Sequence, residues 1–461
     1  MHLLVLSGYS LALMALGLWI GRGVHAAGDF FVAGRRLGPG LLFSTMLAAN
    51  IGAGSTVGAT ALGYANGVAA WWWVGSAACG SVVLAIWVGP AMRRVSAARN
   101  LRTVGDYLEF RYSASVRAVI ASLVWIGSVF FLASQLIGLG WILNVVAGVP
   151  KPIGCAIGGI VITVYFAAGG LLTSAWVNVV QLCVKLSGFA IALPLALASV
   201  GGWSGVTAVQ PADPAYWTFF KPDGSGMMYL AVLGPAFVVS PGLLQKIFGA
   251  RDDHAVRVGV GLNAAGLFLF AGVPVFLGII ARGQFPHLPA TNLALPMILM
   301  HNLPALVGAV ALAAVFSAEV SAADASLFML TTSLTQDLYK RFVNPSASDD
   351  HVLLVARWTT VASGAMGVCL AWVSEDVIRT LTIPYTLLGV SLFVPIVAGL
   401  YVPRTSSRGA LAAVAAGVAG MLTVQVATHG AGWGVATPAL AGLTAAIAAW
   451  LISLTVPDVR P

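Results

Sequence analysis

Three polar side chains fall on one face of a long apolar segment. Asn178, Gln181 and Lys185 occupy positions i, i+3 and i+7 of SAWVNVVQLCVKLSGFAIALPLALASV, which is one face of a helix. If the segment crosses a membrane, Lys185 lies roughly 18 Å from its start at 1.5 Å per residue. A charge at that depth is costly unless it faces protein, water or a partner. The amides are typical of hydrogen bonds between helices, whereas the lysine indicates a functional site.

Two acidic residues are also candidates for a functional site within the membrane. Of the fifteen acids in the chain, only Glu319 and Asp324 lie within an apolar segment. Ser317, Ser321 and Asp324 are spaced i, i+4 and i+7, so a helix presents them as one stripe of hydroxyls and a carboxylate. Glu319 is about 200° from Ser317 around such a helix and is predicted to face a different neighbour. Whether it pairs with Lys185 stays open.

The segment LAANIGAGSTVGA (47–59) carries residues that allow a helix to open. Gly52 and Gly54 lower the cost of leaving helical geometry, and Asn50 precedes them. Non-helical backbone at membrane depth is tolerated where it lines a cavity, and its free carbonyls can bind a cation. We therefore predict a break in this helix, within residues 48–54.

A second interruption is predicted five spans later, at Ser240, Pro241 and Gly242 of VVSPGLLQK. Broken helices at matching positions of two five-helix halves are the sequence sign of an inverted-repeat transporter. Gly58 and Gly63 have an alternative interpretation, because glycines also permit close packing between membrane helices.

The composition of the chain is typical of a membrane protein. Of 461 residues, 59% are hydrophobic and 8% are charged, against about 25% charged in soluble proteins. Apolar runs of roughly 20 residues recur along the chain, and each can cross a bilayer as a helix. The runs lack the short alternation of a barrel, so the predicted fold class is an all-α polytopic membrane protein. Its thirteen predicted spans lie near 3–21, 40–65, 70–91, 116–147, 152–171, 173–199, 228–248, 258–280, 303–333, 353–373, 377–401, 407–428 and 434–455.

The distribution of basic residues predicts the orientation. The first span lacks a basic leader and is predicted to be a retained helix rather than a cleaved signal. With the N-terminus outside and the C-terminus in the cytoplasm, eighteen Lys and Arg residues fall in inner loops. Only Lys151, Lys221, Arg282 and Arg379 fall in outer loops. The net charge of +8 is therefore explained by topology, and no nucleic-acid partner is expected.

Other functional classes receive little support. The seven histidines and four cysteines show no catalytic or metal-ligand spacing, so an enzyme is not predicted. No repeated filter loop indicates a channel. A transporter-like sensor remains an alternative. The expected partners are a small solute and the lipid bilayer of a bacterial inner membrane, with no obligate protein partner.

Several segments resemble the sodium:solute symporter family in the family's own order. They are GDFFVAGRRLGPG (28–40), AANIGAGS (48–55), AAGGLLTSAWVNVVQ (167–181), LQKIFGARDDHAVRVG (244–259) and SAEVSAADASLFMLTTSLTQDLYKRF (317–342). The resemblance covers nearly the whole chain. It implies a five-plus-five inverted repeat, LeuT-like in fold. The repeats would span 40–199 and 228–401, with an extra N-terminal helix at 3–21 and two C-terminal helices within 407–455.

The resemblance also implies a sodium site at the first helix break. The matching positions are the carbonyls of Ala48 and Ile51, a carbonyl at Ala314, and the side-chain positions Ser317 and Ala318. Residue 318 is Ala where the family usually has Ser or Thr. Asn178 stands where many members have an aspartate. Both departures are expected to weaken sodium binding.

Two coupling mechanisms follow from the resemblance. In the first, Na⁺ binds at these positions, and Lys185 contacts an anionic substrate or a carboxylate. In the second, as in some amino-acid transporters of the wider superfamily, the Lys185 ammonium takes the ion position and transport is coupled to H⁺ or to no ion. The family favours Na⁺ as the coupling ion. The predicted coupling residues are Lys185, Asn178, Ser321 and Asp324.

The substrate is expected beside the two breaks. A buried lysine can pair with a carboxylate, so we predict a small organic acid or amino acid. The predicted lining residues are Asn50, Ser55, Thr56, Trp72, Gln135, Phe237 and Ser240. The tryptophans at 71–73 have an alternative interpretation as an aromatic belt at the membrane interface.

Overall fold

The structure is a computed structural model that describes residues 2–21, 35–167, 170–208, 213–221 and 225–455. Part of the motif at 28–40 and the inner-loop residues Arg22 and Arg460 lie outside these ranges. The α-helices, in chain order, are α1 (His2–Gly21), α2 (Pro39–Asn50), α3 (Ala59–Asn66), α4 (Trp71–Val83), α5 (Gly89–Ala98), α6 (Val104–Arg111), α7 (Ala114–Ala147), α8 (Lys151–Ala167), α9 (Gly170–Ser199), α10 (Gly202–Ala208), α11 (Tyr229–Val238), α12 (Pro241–Phe248), α13 (Asp253–Phe270), α14 (Gly272–Gln284), α15 (Ala294–His301), α16 (Ala305–Thr332), α17 (Asp349–Val373), α18 (Val377–Tyr401), α19 (Ser407–Ala427) and α20 (Pro438–Ser453). The π-helical stretches Gly54–Gly58, Leu84–Val88 and Ser333–Val343 lead into α3, join α4 to α5 and extend α16.

Nine helical stretches in the described ranges are long and apolar enough to cross a membrane. They are Gly54–Ala98, Ala114–Ala147, Val177–Ser199, Tyr229–Phe248, Asp253–Gln284, Ala305–Val343, Asp349–Val373, Val377–Tyr401 and Ser407–Ala427. Shorter apolar helices occupy His2–Ala12, Lys151–Val164 and Pro438–Ser453. The polytopic helical class is confirmed, whereas the number of thirteen spans stays a prediction.

The first helix break lies where it was predicted. Helix α2 ends at Asn50, and Ile51 leaves helical geometry with φ −89° and ψ 89°. The chain becomes helical again at Gly54. At Gly52 the backbone comes so close to α16 that an added Cβ would lie 2.3 Å from the Cβ of Ala322. Glycine therefore serves here to admit a neighbouring helix as well as to open the backbone.

The second break separates α11 from α12. Helix α11 ends at Val238, and α12 begins at Pro241 with Ser240 as its N-cap residue. Proline suits the first position of a helix because its missing N–H would have no helical partner there. The prediction of an interruption at residues 240–242 is therefore confirmed.

The broken helices pack into one buried core. Helices α2, α9 and α16 contact one another, α7 packs on α16 and α18, and α11 lies against α4 and α18. Helices α3 and α14 approach very closely through glycines. An added Cβ at Gly63 would lie 2.4 Å from the carbonyl oxygen of Val275, and one at Gly278 would lie 2.1 Å from that of Thr60. Gly63 thus has the packing role that was its alternative interpretation.

A short backbone pairing joins the two broken helices at one end. The N–H of Leu37, just before α2, donates to the carbonyl of Gly249 after α12 at 3.0 Å. The N–H of Arg251 donates to the carbonyl of Leu37, also at 3.0 Å. The start of α2 and the end of α12 are therefore held together by main-chain hydrogen bonds.

A buried arginine organises a charged cluster near the start of α7. Arg117 forms ion pairs of 2.8 Å with Asp106, 3.0 Å with Glu109 and 2.8 Å with Asp337. Glu109 also pairs with Arg341 at 2.7 Å. The hydrogen bond from Arg341 is the largest influence that lowers the pKa of Glu109, burial opposes it, and Arg117 adds to it. This cluster ties α6 and α7 to the extension of α16.

Candidate functional site

The ammonium group of Lys185 lies on the free carbonyls of the first break. Its Nζ is 2.7 Å from the carbonyl oxygen of Ala48, 3.2 Å from that of Ile51 and 2.6 Å from the hydroxyl of Ser321. The lysine is 0% exposed. An ammonium has three protons to donate, and three acceptors surround it. The structure thus brings together two of the five predicted sodium positions with two of the predicted coupling residues.

The hydroxyl beside these carbonyls is Ser321 and not Ser317. Ser321 donates to the carbonyl of Ala48 at 2.7 Å and lies 3.0 Å from that of Ala318. Ser317 is one helical turn away, where it accepts from Tyr9 of α1 at 2.6 Å. Because both serines share one face of α16, only the relative depth of the helices decides which of them meets the break.

The other predicted sodium positions have different surroundings. Ala314 packs against α9. A Cβ added at Gly188 of that helix would lie 2.3 Å from the Cβ of Ala314. Ala318 is fully buried, and its carbonyl is the one close to Ser321. The structure therefore brings the carbonyls of Ala48 and Ile51 to the ammonium, and it does not bring Ala314 there.

Side chains satisfy the backbone that the break leaves unpaired. The N–H of Ala53 donates to Gln135 Oε1 at 2.7 Å, and the N–H of Gly52 donates to Ser55 Oγ at 3.0 Å. Ser55 Oγ is also 3.0 Å from the carbonyl of Asn50. Backbone groups buried at membrane depth need such partners. Gln135 and Ser55 therefore hold the break open.

A second buried lysine lies at the α2–α12 contact. Lys246 donates to the backbone carbonyl of Thr45 at 2.9 Å, and Asn178 donates to the hydroxyl of the same threonine at 3.1 Å. Asp324 is 1% exposed and interacts electrostatically with Lys246. The predicted coupling residues Asn178 and Asp324 thus belong to a cluster around Lys246, apart from the hydrogen bonds of Lys185.

The hydrogen-bond partner of Glu319, which the sequence left open, is Thr56. Glu319 Oε1 lies 2.7 Å from the hydroxyl of Thr56, which is in turn 2.9 Å from the carbonyl of Gly52. Glu319 is 0% exposed. Thr56 therefore faces α16, although it was predicted to line a substrate cavity.

Two cavities lie beside the breaks and share part of their walls. Both are lined by Asn50, Gln135, Phe237 and Tyr385. The first also reaches Ser55 and Trp73, and the second reaches Ser240 and Lys246. The unoccupied space in them is about 380 and 490 Å³, which includes space open to the surroundings. Five predicted lining residues, Asn50, Ser55, Gln135, Phe237 and Ser240, line these cavities.

Trp72 lies elsewhere, contrary to the predicted lining. Its indole N–H donates to the carbonyl of Phe219 at 3.2 Å, and its ring packs on Phe219 and Phe220. The adjacent Trp73 is buried and lines the first cavity. Neighbouring residues on a helix point about 100° apart, so the tryptophan run alone could not indicate which ring faces inward.

Tyr385, which lines both cavities, was not predicted from the sequence. Its only signal there was that it is a polar aromatic residue in an apolar span.

The model of the sodium:solute symporter family matches residues 30–417 of the chain. The chain belongs to this family. Curated members similar to it include the human sodium/iodide cotransporter, 25% identical over 89% of this chain and 67% of that one. The Escherichia coli sodium/pantothenate symporter is 26% identical over 87% of this chain and 84% of that one. The Bacillus subtilis high-affinity proline transporter is 25% identical over 85% of both chains.

Solved structures share the fold of this symporter family member. A sodium-coupled sialic acid symporter, in a substrate-bound outward-open state, matches with a TM-score of 0.79 at 18% identity, over 98% of this chain and 97% of that one. A nucleobase–cation symporter in a closed conformation matches with a TM-score of 0.61 at 15% identity, over 92% and 93%. These matches confirm the LeuT-like fold.

Membership makes the chain a membrane transporter and not an enzyme. The family and its sodium-coupled members support sodium-coupled symport of a small solute as the shared activity. The apolar helices and the bacterial relatives support a multi-pass protein of the plasma membrane.

Proposed function

We propose that the chain transports a small organic acid or amino acid by alternating access, with the Lys185 ammonium taking the place of Na⁺ at the first break. The observation that carries the proposal is the set of three contacts from Lys185 to Ala48, Ile51 and Ser321. A cation at a helix break is attracted by carbonyl groups that lack a helical partner. An ammonium tethered to α9 satisfies those carbonyls without an ion from solution.

Sodium and the ammonium compete for the same oxygens. Both are cations, and both would rely on the carbonyls of Ala48 and Ile51. A bound Na⁺ prefers several oxygen ligands, but Ala318 and Ala322, which flank Ser321 on α16, offer no hydroxyl. Asn178 supplies no charge and bonds to Thr45 instead. These features favour the ammonium over Na⁺ at this position.

The sodium-coupled mechanism of the relatives is the alternative. It requires Lys185 to leave the two carbonyls and turn toward a substrate carboxylate or an acidic side chain. Na⁺ would then bind at the break, with water replacing the missing hydroxyl. Several relatives are named as sodium cotransporters or symporters, which supports this alternative. A transport measurement distinguishes the lysine mechanism from the sodium mechanism.

The substrate class is inferred from the cavities and the charges around them. Lys246 lines the second cavity, and Lys185 lies at the break that the first cavity contacts. Two buried cations with the amides of Asn50 and Gln135 suit a carboxylate with a polar or aliphatic body. Pantothenate, proline and sialic acid, which name relatives of this chain, are all carboxylates.

The test is uptake of labelled proline, pantothenate, sialic acid and short carboxylates into proteoliposomes. We expect saturable uptake of at least one solute, at equal rates when K⁺ replaces Na⁺ on both sides. Lys185→Met should abolish that uptake, whereas Lys151→Met, at the start of α8, should retain it. Uptake that requires Na⁺ would overturn the lysine assignment. Binding without uptake would indicate a sensor, and flux that never saturates would indicate a channel.

The orientation and the repeat boundaries are proposals of the same kind. We infer that the N-terminus is outside, that the C-terminus is cytoplasmic, and that the repeats span 40–199 and 228–401. The charged cluster around Arg117 would then lie on the cytoplasmic side, in keeping with the positive-inside rule. Labelling of single cysteines by an impermeant thiol reagent on intact cells tests the orientation, because outer-loop positions should react and inner-loop positions should not.

A further inference from the structure

Glu319 is a buried carboxyl group that the proposed lysine mechanism leaves without a role. It is 0% exposed, and its Oε2 has no hydrogen-bond partner within the part of the chain that the structure describes. Helix α7 closes over it at Gly138, where an added Cβ would lie 3.1 Å from the carboxyl carbon. Burying an ionised carboxylate with one oxygen unpaired is expensive, whereas a neutral acid carries no charge into the enclosure.

The contacts of Thr56 fit a second proton on Glu319. Its hydroxyl has one proton to donate, yet it lies 2.7 Å from Glu319 Oε1 and 2.9 Å from the carbonyl of Gly52. A carboxylate and a carbonyl are both acceptors only. Each contact is a full, separate hydrogen bond if the carboxyl group donates to Thr56 while Thr56 donates to Gly52. With an ionised Glu319, the one hydroxyl proton of Thr56 would be shared between two acceptors, as it is between the two carbonyls beside Ser321. The two distances, together with the buried and unpartnered Oε2, therefore favour a protonated Glu319.

From this geometry we propose that Glu319 is the site of a transported proton, bound as a carboxylic acid whose O–H donates to Thr56 beside the first helix break. The inference rests on the proposed transport function. When the proton leaves, the O–H bond of the carboxyl group breaks and water takes the proton. The carboxylate then accepts the hydroxyl proton of Thr56. The carbonyl of Gly52 loses that donor and keeps the backbone N–H groups of Ser55 and Thr56, each at 3.0 Å.

Charge balance couples the proton to an anionic substrate. Lys185 of α9 attracts Glu319 electrostatically. Tyr9 of α1 bonds to Ser317, two residues before Glu319. The break segment 39–63 and the α7 segment 127–142 contain no titratable side chain. With Glu319 neutral, the charge of Lys185 is free to balance a substrate carboxylate. With Glu319 ionised, the two residues neutralise each other, so proton and anion bind together.

Infrared difference spectroscopy of the purified full-length protein in nanodiscs tests this without a ligand. At neutral pH, wild type minus Glu319→Gln should show the C=O band of a carboxylic acid, which shifts in D₂O. Wild type minus Glu109→Gln is the matched control. Its difference should show the bands of a carboxylate and no carboxylic-acid band, because Glu109 is ion-paired with Arg117 and Arg341. Carboxylate bands alone for Glu319 would overturn the proposal.

A second pair of variants covers the case in which Glu319→Gln does not fold. Thr56→Val removes the acceptor of the acid O–H and should shift the acid band to higher frequency, whereas Thr56→Ser should leave it in place. An acid band whose frequency is unchanged in Thr56→Val would contradict the assignment. The spectra report the proton and the uptake assay reports transport. An acid band without uptake would therefore refute the transport function alone, and uptake without the band would refute the proton site alone.

Discussion

Shortening Lys185 to alanine should convert the first break into a sodium-binding site. The substitution removes the ammonium from the carbonyls of Ala48 and Ile51 and leaves a space beside Ser321. The carbonyl of Ala48 keeps the hydroxyl of Ser321 as a donor. Each buried acceptor left without a donor costs about 1–3 kcal/mol. The carbonyl of Ile51 therefore predicts a loss of about 1–3 kcal/mol of folding free energy in the absence of a replacement cation.

Sodium should restore part of that loss. A ligand that binds only the folded state at 100 times its dissociation constant stabilises by about 2.7 kcal/mol. The assay is thermal unfolding of purified Lys185→Ala in detergent, with NaCl compared against KCl at equal ionic strength. We expect Na⁺ to raise the unfolding temperature of the variant in a concentration-dependent manner, and the KCl series shows how much of the change is a general effect of salt.

Lys185→Met is the matched control for this experiment. Methionine fills much of the same space but cannot donate a hydrogen bond, so the variant should be destabilised and should not respond to Na⁺. Wild type should also be insensitive to Na⁺, since its own ammonium is already in place. Wild type stabilised by Na⁺ as strongly as Lys185→Ala, or Lys185→Ala indifferent to Na⁺, would refute the reasoning.

Three further predictions concern the framework around the site. Arg117→Met should cost about 3–5 kcal/mol, because breaking a buried ion pair leaves carboxylates unpaired; chemical denaturation of the purified protein measures this. The lowered pKa of Glu109, held mainly by Arg341, gives stability that is complete above its unfolded value of about 4.3 and is lost as pH falls through the folded value. Glu109→Gln should therefore flatten the acid side of a stability–pH curve, and an unchanged curve would contradict this. Gly278→Ala should lower the free energy of unfolding by about 1–3 kcal/mol, because the added Cβ clashes with α3. Its control is Gly261→Ala, where the added Cβ meets open space, and this variant should melt like wild type.

The breaks were predictable because their causes are local. Gly52 lies where backbone must open, and the Ser-Pro-Gly run at 240–242 combines a capping residue with a proline that can only begin a helix. The depth of Lys185 within its apolar segment likewise indicated a functional site. These conclusions depend on residue type and spacing within one segment, and both are visible in a single sequence.

The relative depth of neighbouring helices was not predictable in the same way. Ser317 and Ser321 have the same side chain and the same face of α16, so spacing alone could not decide which hydroxyl meets the break. The contact of Thr56 with Glu319 joins residues 263 positions apart. Its only sequence signal was a glutamate in an apolar span, which predicts that a partner exists but not which residue it is.

The pairing of Leu37 with Gly249 and Arg251 has a mechanical consequence. Two main-chain hydrogen bonds, each 3.0 Å long, clamp the start of α2 to the end of α12. Because main-chain hydrogen bonds do not depend on side-chain rotamers, this clamp persists through most substitutions at the three positions. The two discontinuous helices are therefore held together at that end. We therefore expect a motion that displaces one of these two helix ends to displace the other with it.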